Sequence, residues 1–403
     1  MKIVVLERNS VGTDIEVKYE DLGEVTYYEN TVTASEVRER VKDADIIVGN
    51  KSPLNEESLK DAHHVKLITV FATGYDNVDL EYCAKRGILV ENIVNYSTAA
   101  VAQHTFALAL ALLEKLPHYD HYVKSGTYKN QSRFSNFDVP YTELEGKTWG
   151  IIGMGNIGRK VAQIASAFGC KVIFHSVTGN SKVTEYEQVS LQTLLEESDV
   201  LSLHCPLSDK TRDIIDYEAL CKMKDTAILI NVARGPVVNN KDLAKALQEG
   251  KITAAGLDVL EKEPIAKDNP LGEIMDSNKL IITPHLAWAS VEARLRCVEE
   301  VRKNIEAFLR GEPRNVVNMK LDSSSRFFEN KACEYYPCHK GVTGFNCLFC
   351  YCPMYTLENC PGNPDYMEKD GKKIKVCTNC TFPHQAQNYD AVMKVLKNQL
   401  FSV

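Results

Sequence analysis

The stretch TWGIIGMGNIGRKVAQIASAFGCKVIFH, from Thr148 to His175, decides the fold of this chain. An apolar run is followed by glycines in the order G-x-G-x-x-G, then by a helical pattern and a second apolar run. Gly153 permits a tight turn, Gly155 lets a ligand approach the backbone, and Gly158 lets the helix pack closely on the strand. The stretch therefore predicts a strand, a glycine turn, a helix and a second, parallel strand.

This arrangement indicates a dinucleotide site. Amide groups and the helix dipole attract a pyrophosphate to the helix N-terminus, where we expect Asn156 and Ile157 beside the three glycines. A carboxylate after the second strand normally contacts the ribose 2′-hydroxyl of NAD. Ser176 stands there instead, followed by Thr178 and Lys182, with no acid nearby. These groups suit a 2′-phosphate and favour NADPH, or use of both cofactors; a solvated loop without the contact is the alternative.

Short apolar runs separated by helical patterns extend over most of the chain in both directions from this stretch. They are KIVVL, DIIVG, KLITVF, TWGIIG, KVIFH, VLSLH, AILINV, AAGLDV and KLIIT, between residues 2 and 283. Continuous apolar strands alternating with helices are typical of a parallel sheet covered on both faces, so we predict the α/β class. Long helices are predicted from Ser97 to Leu116 and from an N-cap at Ser290 to a stop at Gly311.

The composition limits the class of protein. The chain has 403 residues and a formal net charge of -7, and its length suggests two or three domains. Nucleic-acid binders usually carry a basic domain, so nucleic acid is not an expected partner. The start MKIVVLERNS lacks the long apolar core of a secretory signal, and no window reaches the roughly 18 apolar residues of a membrane span. We expect a cytoplasmic protein.

Five further motifs identify the family that the chain resembles. They are ATGYDNVDL, NYSTAAVAQHT, INVARGPVV, GLDVLEKEP and ITPHLAWAS, at residues 72–80, 95–105, 230–238, 256–264 and 282–290. In this order they resemble the D-isomer-specific 2-hydroxyacid dehydrogenases over residues 1–318. The first and last look most like the glycerate dehydrogenase, or hydroxypyruvate reductase, branch. The resemblance implies a Rossmann dinucleotide-binding domain inserted in a flavodoxin-like substrate domain.

Three residues match the catalytic positions of that family. Hydride transfer to a 2-keto acid leaves negative charge on the carbonyl oxygen, which a protonated His285 can neutralise by proton donation. Glu263 is expected to hydrogen-bond the imidazole, and so to favour its charged form and fix its tautomer. Arg234 offers a planar fork for the substrate carboxylate. The resemblance thus implies reversible reduction of a small 2-keto acid to the D-2-hydroxy acid with NAD(P)H.

Other positions follow from the same resemblance. The substrate is expected to contact the residues that precede or follow strands at the cleft, namely Lys51, Thr73, Gly74, Arg234, His285 and Trp288. The cofactor is expected to contact Gly153, Gly155, Asn156, Ile157, Gly158, Ser176, His204, Pro206, Thr211, Ala233 and Asp258. Of these, Asp258 is assigned to the nicotinamide amide, and the segment LHCPLSDKT to the adenosine pocket.

The resemblance also implies a domain plan and an oligomer. The substrate domain is predicted at 1–99 and 286–318, the NAD(P)-binding domain at 100–285, and a linker at 319–330. Cleft closure by hinge motion and a homodimer are expected, with the dimer arm between Leu116 and Phe137.

The C-terminal stretch, predicted as a separate small domain at 331–403, is rich in cysteine. It contains ten residues of types that bind metals: Cys333, Cys338, His339, Cys347, Cys350, Cys352, Cys360, Cys377, Cys380 and His384. Two C-x2-C pairs have zinc-ribbon-like spacing, and a thin core would gain stability from a metal. The stretch resembles the cysteine-rich small domain, which implies metal binding. Zinc is favoured, while an iron–sulfur cluster, disulfides and a redox switch stay open.

The sequence supports two main hypotheses of function, beside a redox protein that passes electrons to a cluster in the C-terminal stretch, which an absorbance band beyond the protein's own would support. An active dehydrogenase with a metal-stabilised accessory domain is favoured because all three catalytic residue types are present. The alternative is a regulatory protein that senses NAD(P)H with the dehydrogenase fold and binds a partner with the cysteine-rich module. Turnover of small keto acids distinguishes the two.

Overall fold

The computed structural model divides the chain after Asn318 into two compact units. It describes residues 1–179, 181–318, 323–324, 327–328, 346–350, 352, 354–355, 357, 360–369, 371–377, 379–385 and 388–400. The first unit contains two parallel sheets, and the second contains short antiparallel hairpins and one helix.

The first sheet has five parallel strands in the order β2-β1-β3-β4-β5. The strands are β1 Lys2–Val5, β2 Glu24–Tyr27, β3 Ile46–Gly49, β4 Leu67–Val70 and β5 Leu89–Glu91, and the helices between them are α1 Ala34–Arg40, α2 Glu56–Leu59 and α3 Leu80–Lys85. Every residue of β3 and β4 is buried, because helices or loops cover both faces of the sheet. We call this part the five-stranded lobe.

The second sheet has seven parallel strands in the order β12-β11-β10-β9-β6-β7-β8. Its strands are β6 Thr148–Ile152, β7 Lys171–His175, β8 Glu187–Gln188, β9 Val200–Leu203, β10 Ile228–Asn231, β11 Ala254–Leu257 and β12 Leu280–Ile282. The helices after β5 are α4 Thr98–Leu113, α5 Leu116–Lys124, α6 Asn156–Ala167, α7 Leu191–Glu197, α8 Tyr217–Lys222, α9 Asn240–Gln248 and α10 Val291–Leu309, of which α10 packs on the first sheet. The strand order reverses at β6, where β7 lies on one side and β9 on the other. Ligands of open α/β sheets bind in the crevice at such a point. This seven-stranded lobe and the first sheet confirm the predicted α/β class.

The core of the seven-stranded lobe is centred on Trp149 of β6. Its ring is fully buried, stacks on Phe106 of α4 with centroids 4.5 Å apart, and donates from Nε1 to Ser202 Oγ at 2.8 Å. Burial thus removes the apolar ring from water, while the indole N–H keeps a hydrogen-bond acceptor. Helix α4 therefore belongs to this lobe by its packing.

Helix α10 returns the chain to the five-stranded lobe. Its buried residues Cys297, Val301 and Ile305 pack in the same core cluster as Ile3 and Phe71. A Ser290 N-cap that accepts from Ala293 N begins the helix, as predicted. The five-stranded lobe is thus built from both ends of the first unit, while the boundaries at 99/100 and 285/286 stay predictions.

The helix predicted from Ser97 to Leu116 is shorter in the structure. It ends at Leu113, Lys115 takes a left-handed conformation with φ of 54°, and α5 begins at Leu116. Pro117 explains the break, since proline has no N–H to donate and its ring would clash with the carbonyl four residues earlier. Among the described helices, none is by itself long and apolar enough to span a membrane, although α4 and α5 together, bent by 58°, have the length and composition.

In the second unit, β13 Ser323–Ser324 pairs with β14 Phe327–Phe328, and β15 Asp365–Lys369 pairs with β16 Lys372–Val376. Helix α11 spans Tyr389–Leu400. The predicted metal ligands Cys333, Cys338 and His339 lie outside the described residues, as does most of the predicted linker.

Candidate active site

The glycine turn between β6 and α6 has the shape that its sequence predicts. Gly153 has φ of 96°, and a Cβ there would lie 2.7 Å from the backbone of Cys205. A Cβ on Gly158 would lie 2.2 Å from the carbonyl oxygen of Gly153, so helix and turn are in close contact. A Cβ on Gly155 would meet no atom within 4 Å, which leaves open space in front of the helix. The turn therefore fits a dinucleotide pyrophosphate.

Asn156 and Ile157 form the first turn of α6. The Asn156 amide donates to Asn95 Oδ1 of the loop between β5 and α4, and Arg159 donates to Asn156 Oδ1 at 2.9 Å. Asn95 is itself left-handed, with φ of 65°. The helix start is thus tied to the segment that joins the two lobes. The sequence analysis did not foresee Asn95, because a side-chain contact over 61 residues leaves no local pattern.

The turn after β7 carries hydroxyl groups and no acid. Ser176 Oγ lies 3.3 Å from Thr178 Oγ1, and Lys182 is exposed nearby in sequence. His175 is engaged through Nδ1 with the carbonyl of Val189 at 3.1 Å. The first acid after this strand is Glu185, beyond the turn. Nothing in the described part of the turn would repel a 2′-phosphate.

The loop after β9 places His204, Pro206 and Thr211. Burial lowers the pKa of His204 to about 3, so its ring is neutral, and Nε2 lies 3.1 Å from Ser202 Oγ. Thr211 Oγ1 donates to the Pro206 carbonyl and accepts from Ser208 N, both at 2.7 Å. These bonds fix the loop beside the glycine turn, whose Gly153 contacts the His204 backbone.

His285 and Glu263 form a close pair. His285 Nδ1 donates to Glu263 Oε2 at 2.7 Å, and the other carboxylate oxygen accepts from Leu260 N at 3.0 Å. Burial raises the pKa of Glu263, but the bonds from His285 and Leu260 and the nearby charge of Lys51 outweigh it, so the pKa lies below its usual value. Glu263 is thus held ionised, and Nε2 is left as the imidazole atom for a substrate proton.

Asp258 holds the turn that carries His285. Its carbonyl accepts from His285 N at 2.8 Å, while its carboxylate accepts from Leu286 N at 2.9 Å and Ala287 N at 2.8 Å. These bonds support the left-handed φ of 54° at His285. Asp258 is 1% exposed. The predicted contact of Asp258 with a nicotinamide amide stays a prediction.

Two neighbours of Asp258 were not foreseen. Thr283 Oγ1 donates to Asp258 Oδ1 at 2.6 Å, and His104 Nε2 lies 2.9 Å from Thr283 Oγ1. Burial lowers the pKa of His104, against the opposing effect of Asp258. His104 lies in the motif NYSTAAVAQHT and Thr283 in ITPHLAWAS, and this was the signal by which the sequence could have identified them.

Arg234 lies at the end of β10 and faces the five-stranded lobe. Nη1 donates to the carbonyl of Ala233 at 2.8 Å, and Nε donates to Asp76 Oδ2 at 3.1 Å. A Cβ on Gly74 would lie only 1.7 Å from Arg234 Nη2, so the guanidinium rests against the Gly74 backbone. The structure thus brings Arg234 and Gly74 together, and adds Asp76, whose motif was quoted but whose side chain was not singled out.

The remaining predicted substrate residues, Lys51, Trp288 and Thr73, have different surroundings. Lys51 follows β3 and lies near enough to Glu263 to lower its pKa. Trp288 packs edge-on against Tyr96, with ring centroids 6.3 Å apart. Thr73 Oγ1 donates to the Ile93 carbonyl at 2.9 Å, so its hydroxyl faces the protein.

In the second unit, four sulfur atoms lie near one another. Burial raises the pKa of Cys352, and the neighbouring Cys360 and Cys380 raise it further. Cys360 Sγ and Cys380 Sγ lie 3.5 and 2.9 Å from the place where a Gly362 Cβ would sit. Burial also raises the pKa of Cys377, which has the other three cysteines as neighbours. Within the described stretches, however, no three His, Cys, Asp or Glu side chains are arranged to hold a metal ion.

The predicted ligands Cys347, Cys350 and His384 also lie in the described part of the second unit. Cys350 N donates to the Cys347 carbonyl at 3.1 Å, and His384 is buried with Nδ1 3.2 Å from the Asn346 carbonyl.

Comparison with known families gives two matches. The D-isomer specific 2-hydroxyacid dehydrogenase, NAD binding domain, matches residues 106–287. The cysteine-rich small domain matches residues 324–403.

Curated proteins and solved structures are similar over the first unit. A hydroxypyruvate reductase of Blautia hydrogenotrophica is 40% identical over 324 residues, covering 79% of this chain and all of that protein. A glycerate dehydrogenase of Methylorubrum extorquens is 40% identical over 316 residues, covering 78% of this chain and 98% of that protein. The NADPH-dependent glyoxylate/hydroxypyruvate reductase of Sinorhizobium meliloti, solved with NADP and malonate, is 28% identical, with a TM-score of 0.69 and coverage of 78% and 96%.

Proposed function

The chain belongs to the D-isomer-specific 2-hydroxyacid dehydrogenase family, and from that premise we propose that it reduces hydroxypyruvate and glyoxylate to their D-2-hydroxy acids. It is an NAD(P)-dependent oxidoreductase of small 2-keto acids. The observation that carries the proposal is the cleft in which the His285–Glu263 pair and Arg234 lie with Gly74 and Lys51 of the other lobe.

The cofactor is held by the seven-stranded lobe. The glycine turn and the amides of Asn156 and Ile157 hold the pyrophosphate, and the loop of His204, Pro206 and Thr211 borders the adenosine side. Ala233 lies beside Arg234 at the end of β10, close to the reacting end of the site. When bound, the nicotinamide supplies the hydride. The protein supplies position and charge.

The substrate carboxylate is bound where the two lobes meet. Within the described residues, the backbone N–H groups of Thr73, Gly74 and Tyr75 donate to no other protein atom. They belong to the segment against which Arg234 Nη2 rests at Gly74. Free amides and a guanidinium edge together form an anion site for a planar carboxylate. The Lys51 ammonium adds positive charge near Glu263.

The proton is handled by His285. With Nδ1 bonded to an ionised Glu263, the protonated ring presents Nε2–H to the carbonyl oxygen that gains charge as the hydride arrives. In the reverse direction the neutral Nε2 accepts the hydroxyl proton. Asp258 keeps the ring in place through the backbone of the same turn.

Ser176 supports a preference for NADPH or use of both cofactors. Its hydroxyl and the adjacent Thr178 hydroxyl can donate to a 2′-phosphate, whereas a carboxylate at this position would repel it. Ser176→Asp should therefore raise the KM for NADPH at least about tenfold and leave the KM for NADH unchanged or lower. An unchanged NADPH preference would show that the turn does not select the cofactor.

A homodimer is proposed from the segment that follows α4. Phe134 is 89% exposed, Phe137 is 70% exposed, and both line an open aromatic hollow with Tyr119, Tyr122 and Tyr128. Large exposed apolar patches usually mark interaction sites, so a second copy of this segment is the proposed occupant. Light scattering should give twice the chain mass, and a Phe134→Glu, Phe137→Glu double variant should shift it toward the monomer.

A structural zinc ion is proposed for the second unit. The supporting observation is the gathering of Cys352, Cys360, Cys377 and Cys380, all free thiols, with Asn363 N–H donating to Cys380 Sγ at 3.3 Å. Four thiols with an N–H⋯S bond suit zinc, which four thiolates commonly ligate in small domains with thin cores. The ion would cross-link the hairpin of β15 and β16 to the preceding loop.

The enzyme proposal is tested by steady-state rates of the full chain. NADH and NADPH oxidation would be followed with hydroxypyruvate, glyoxylate, pyruvate and phenylpyruvate. We expect hydroxypyruvate and glyoxylate to have the highest kcat/KM, because the similar curated proteins include a hydroxypyruvate reductase and a glyoxylate reductase, each 40% or more identical to this chain. A preference for phenylpyruvate would contradict the proposed substrate class.

A further inference from the structure

One ion pair crosses the cleft between the lobes at the substrate carboxylate site. Asp76 lies in the loop between β4 and α3 of the five-stranded lobe, and Arg234 follows β10 of the seven-stranded lobe. Arg234 Nε donates to Asp76 Oδ2 at 3.1 Å. The Asp76 side chain is 58% exposed and that of Arg234 is 32% exposed, so the pair lies at an open cleft and not in the core.

The contacts of Arg234 determine which of its N–H groups remain available. A guanidinium has five N–H donors. Nε–H is engaged by Asp76, and one Nη1–H is engaged by the Ala233 carbonyl at 2.8 Å. The second Nη1–H and both Nη2–H groups remain, and Nη2 is the atom that lies against Gly74. The available edge therefore faces the amides of residues 73–75.

Asp76 is placed so that it controls this orientation. An arginine side chain has many rotamers, and a single backbone acceptor leaves the guanidinium plane free to rotate about the remaining torsions. A second acceptor on the Nε side, reached from the opposite lobe, fixes the plane. The carboxylate also occupies the Nε side, so a substrate carboxylate is directed to the Nη edge beside Gly74.

We propose that Asp76 is a positioning residue for the reaction, which fixes Arg234 so that its Nη edge and the amides of residues 73–75 together bind the carboxylate of the 2-keto acid. This inference rests on the proposed function of the same cleft. Loss of the pair weakens substrate binding and slows turnover, since Arg234 no longer holds the keto acid in one orientation. Cofactor affinity does not change, because Asp76 lies in the other lobe.

The test compares Asp76→Asn and Asp76→Ala with the wild-type full chain. Asparagine keeps the shape and a neutral acceptor, and alanine removes both. Asp79→Asn is the matched control, since it removes the same charge three residues away, where Asp79 caps α3 by accepting from Tyr82 N. Asparagine is an equally good N-cap, so the control keeps its fold.

We expect Asp76→Asn to raise the KM for hydroxypyruvate about tenfold, the effect of weakening one charge-assisted hydrogen bond, and Asp76→Ala to raise it further. The Kd for NADPH and the melting temperature of Asp76→Asn should stay at the wild-type value. Binding of oxamate, a stable keto-acid analogue, should weaken in parallel with KM. Asp79→Asn should match the wild type in all four measurements.

Two results would overturn the inference. Wild-type KM and oxamate affinity in Asp76→Asn would show that the pair does not position Arg234. A lower KM in that variant would show that Asp76 competes with the substrate for the arginine. If the wild type turned over no keto acid, the proposed function would fail, while oxamate titration of the wild type and Asp76→Asn would still decide the role of Asp76.

Discussion

At the scale of single residues, the site depends on side chains that are held by others. Glu263 accepts from both His285 and Leu260 N, and its lowered pKa keeps it ionised through the neutral range. An ionised partner favours the protonated imidazole. Because reduction consumes the proton on His285, the pH dependence of the rate reports this pair.

Glu263→Gln should therefore change the pH profile. The amide can still accept from Nδ1, but it no longer stabilises the imidazolium by charge. We expect the pH at which the reduction rate declines to move down by about one unit or more, and the hydroxy-acid oxidation rate to gain relative to reduction. Initial rates in both directions from pH 5 to 9 measure this.

Glu261→Gln is the matched control, since Glu261 is exposed and lies two residues from Glu263. Its profile should equal that of the wild type. A profile for Glu263→Gln that merely drops at every pH, with no displacement, would mean that the carboxylate acts only in folding.

The sequence identified Arg234, Glu263 and His285 through motifs in a fixed order, and in the structure His285 pairs with Glu263 while Arg234 lies against Gly74. It did not predict Asp76 as the partner of Arg234, or the bonds of Asp258 to the turn after His285. The first depends on which side chains meet when the two lobes pack, over a separation of 158 residues, and the second on a carboxylate that meets backbone N–H groups beyond the neighbouring strand, 29 residues further along the chain. A local sequence pattern does not predict hydrogen bonds between residues so far apart in the chain.

At the scale of elements, each of the quoted apolar runs contains a strand of the two parallel sheets. The strands that were missed are β2, β5 and β8. Strand β8 has two residues and β5 has three, while β2 is an edge strand with an alternating exposed pattern. Short or half-exposed strands lack the continuous apolar run on which the prediction depends.

Strand β5 also carries a buried acid that has no ionic partner within hydrogen-bonding distance. Glu91 Oε1 accepts from Arg314 N at 3.0 Å, whereas Oε2 has no hydrogen-bond partner among the described residues. Burial raises the pKa of Glu91 to about 7, against the opposing effects of Arg314. In the unfolded chain the Glu91 carboxyl has the ordinary pKa of 4.5, whereas in the folded protein it keeps its proton up to about pH 7. The free energy of unfolding therefore falls as the pH rises from 4.5 to 7.

Glu91→Gln should remove this dependence. We expect the variant to be more stable than the wild type at pH 8, by no more than about 3 kcal/mol. At pH 4 the two proteins should differ little, because the Glu91 carboxyl is then mostly protonated in both the folded and the unfolded state. Urea unfolding at the two pH values measures the difference. Glu24→Gln on the exposed β2 is the control and should have no such dependence; an equal effect of Glu91→Gln at both pH values would contradict the account.

At the scale of the whole molecule, the chain joins a dehydrogenase unit to a second compact unit. The sequence predicted this division from a polar stretch and a change in cysteine content. It did not predict how the cysteines group, because spacing alone allows many sets of ligands. Within the described residues, Cys352, Cys360, Cys377 and Cys380 are neighbours, although no three of their side chains are arranged there to hold a metal ion.

Metal removal tests that grouping. The purified full chain should contain zinc, and Cys377→Ser should lose at least part of it, whereas Cys221→Ser, an exposed thiol on α8, should not. A chelator should unfold the second unit and leave turnover of hydroxypyruvate intact. Zinc content by atomic spectroscopy and thermal unfolding curves are the measurements, and a chain purified without metal yet fully folded would refute the zinc proposal.

The central claim is that this cleft performs hydride-coupled proton transfer on a 2-keto acid, and one measurement tests it most directly. NADPH and NADH oxidation with hydroxypyruvate would be compared between the wild type and His285→Gln, with cofactor binding measured on both. The account predicts robust wild-type turnover and a loss of about a hundredfold or more in kcat for His285→Gln, with cofactor affinity unchanged. Equal turnover of the two proteins would contradict the role of His285. Cofactor binding without any wild-type turnover would instead favour a regulatory protein that senses NAD(P)H.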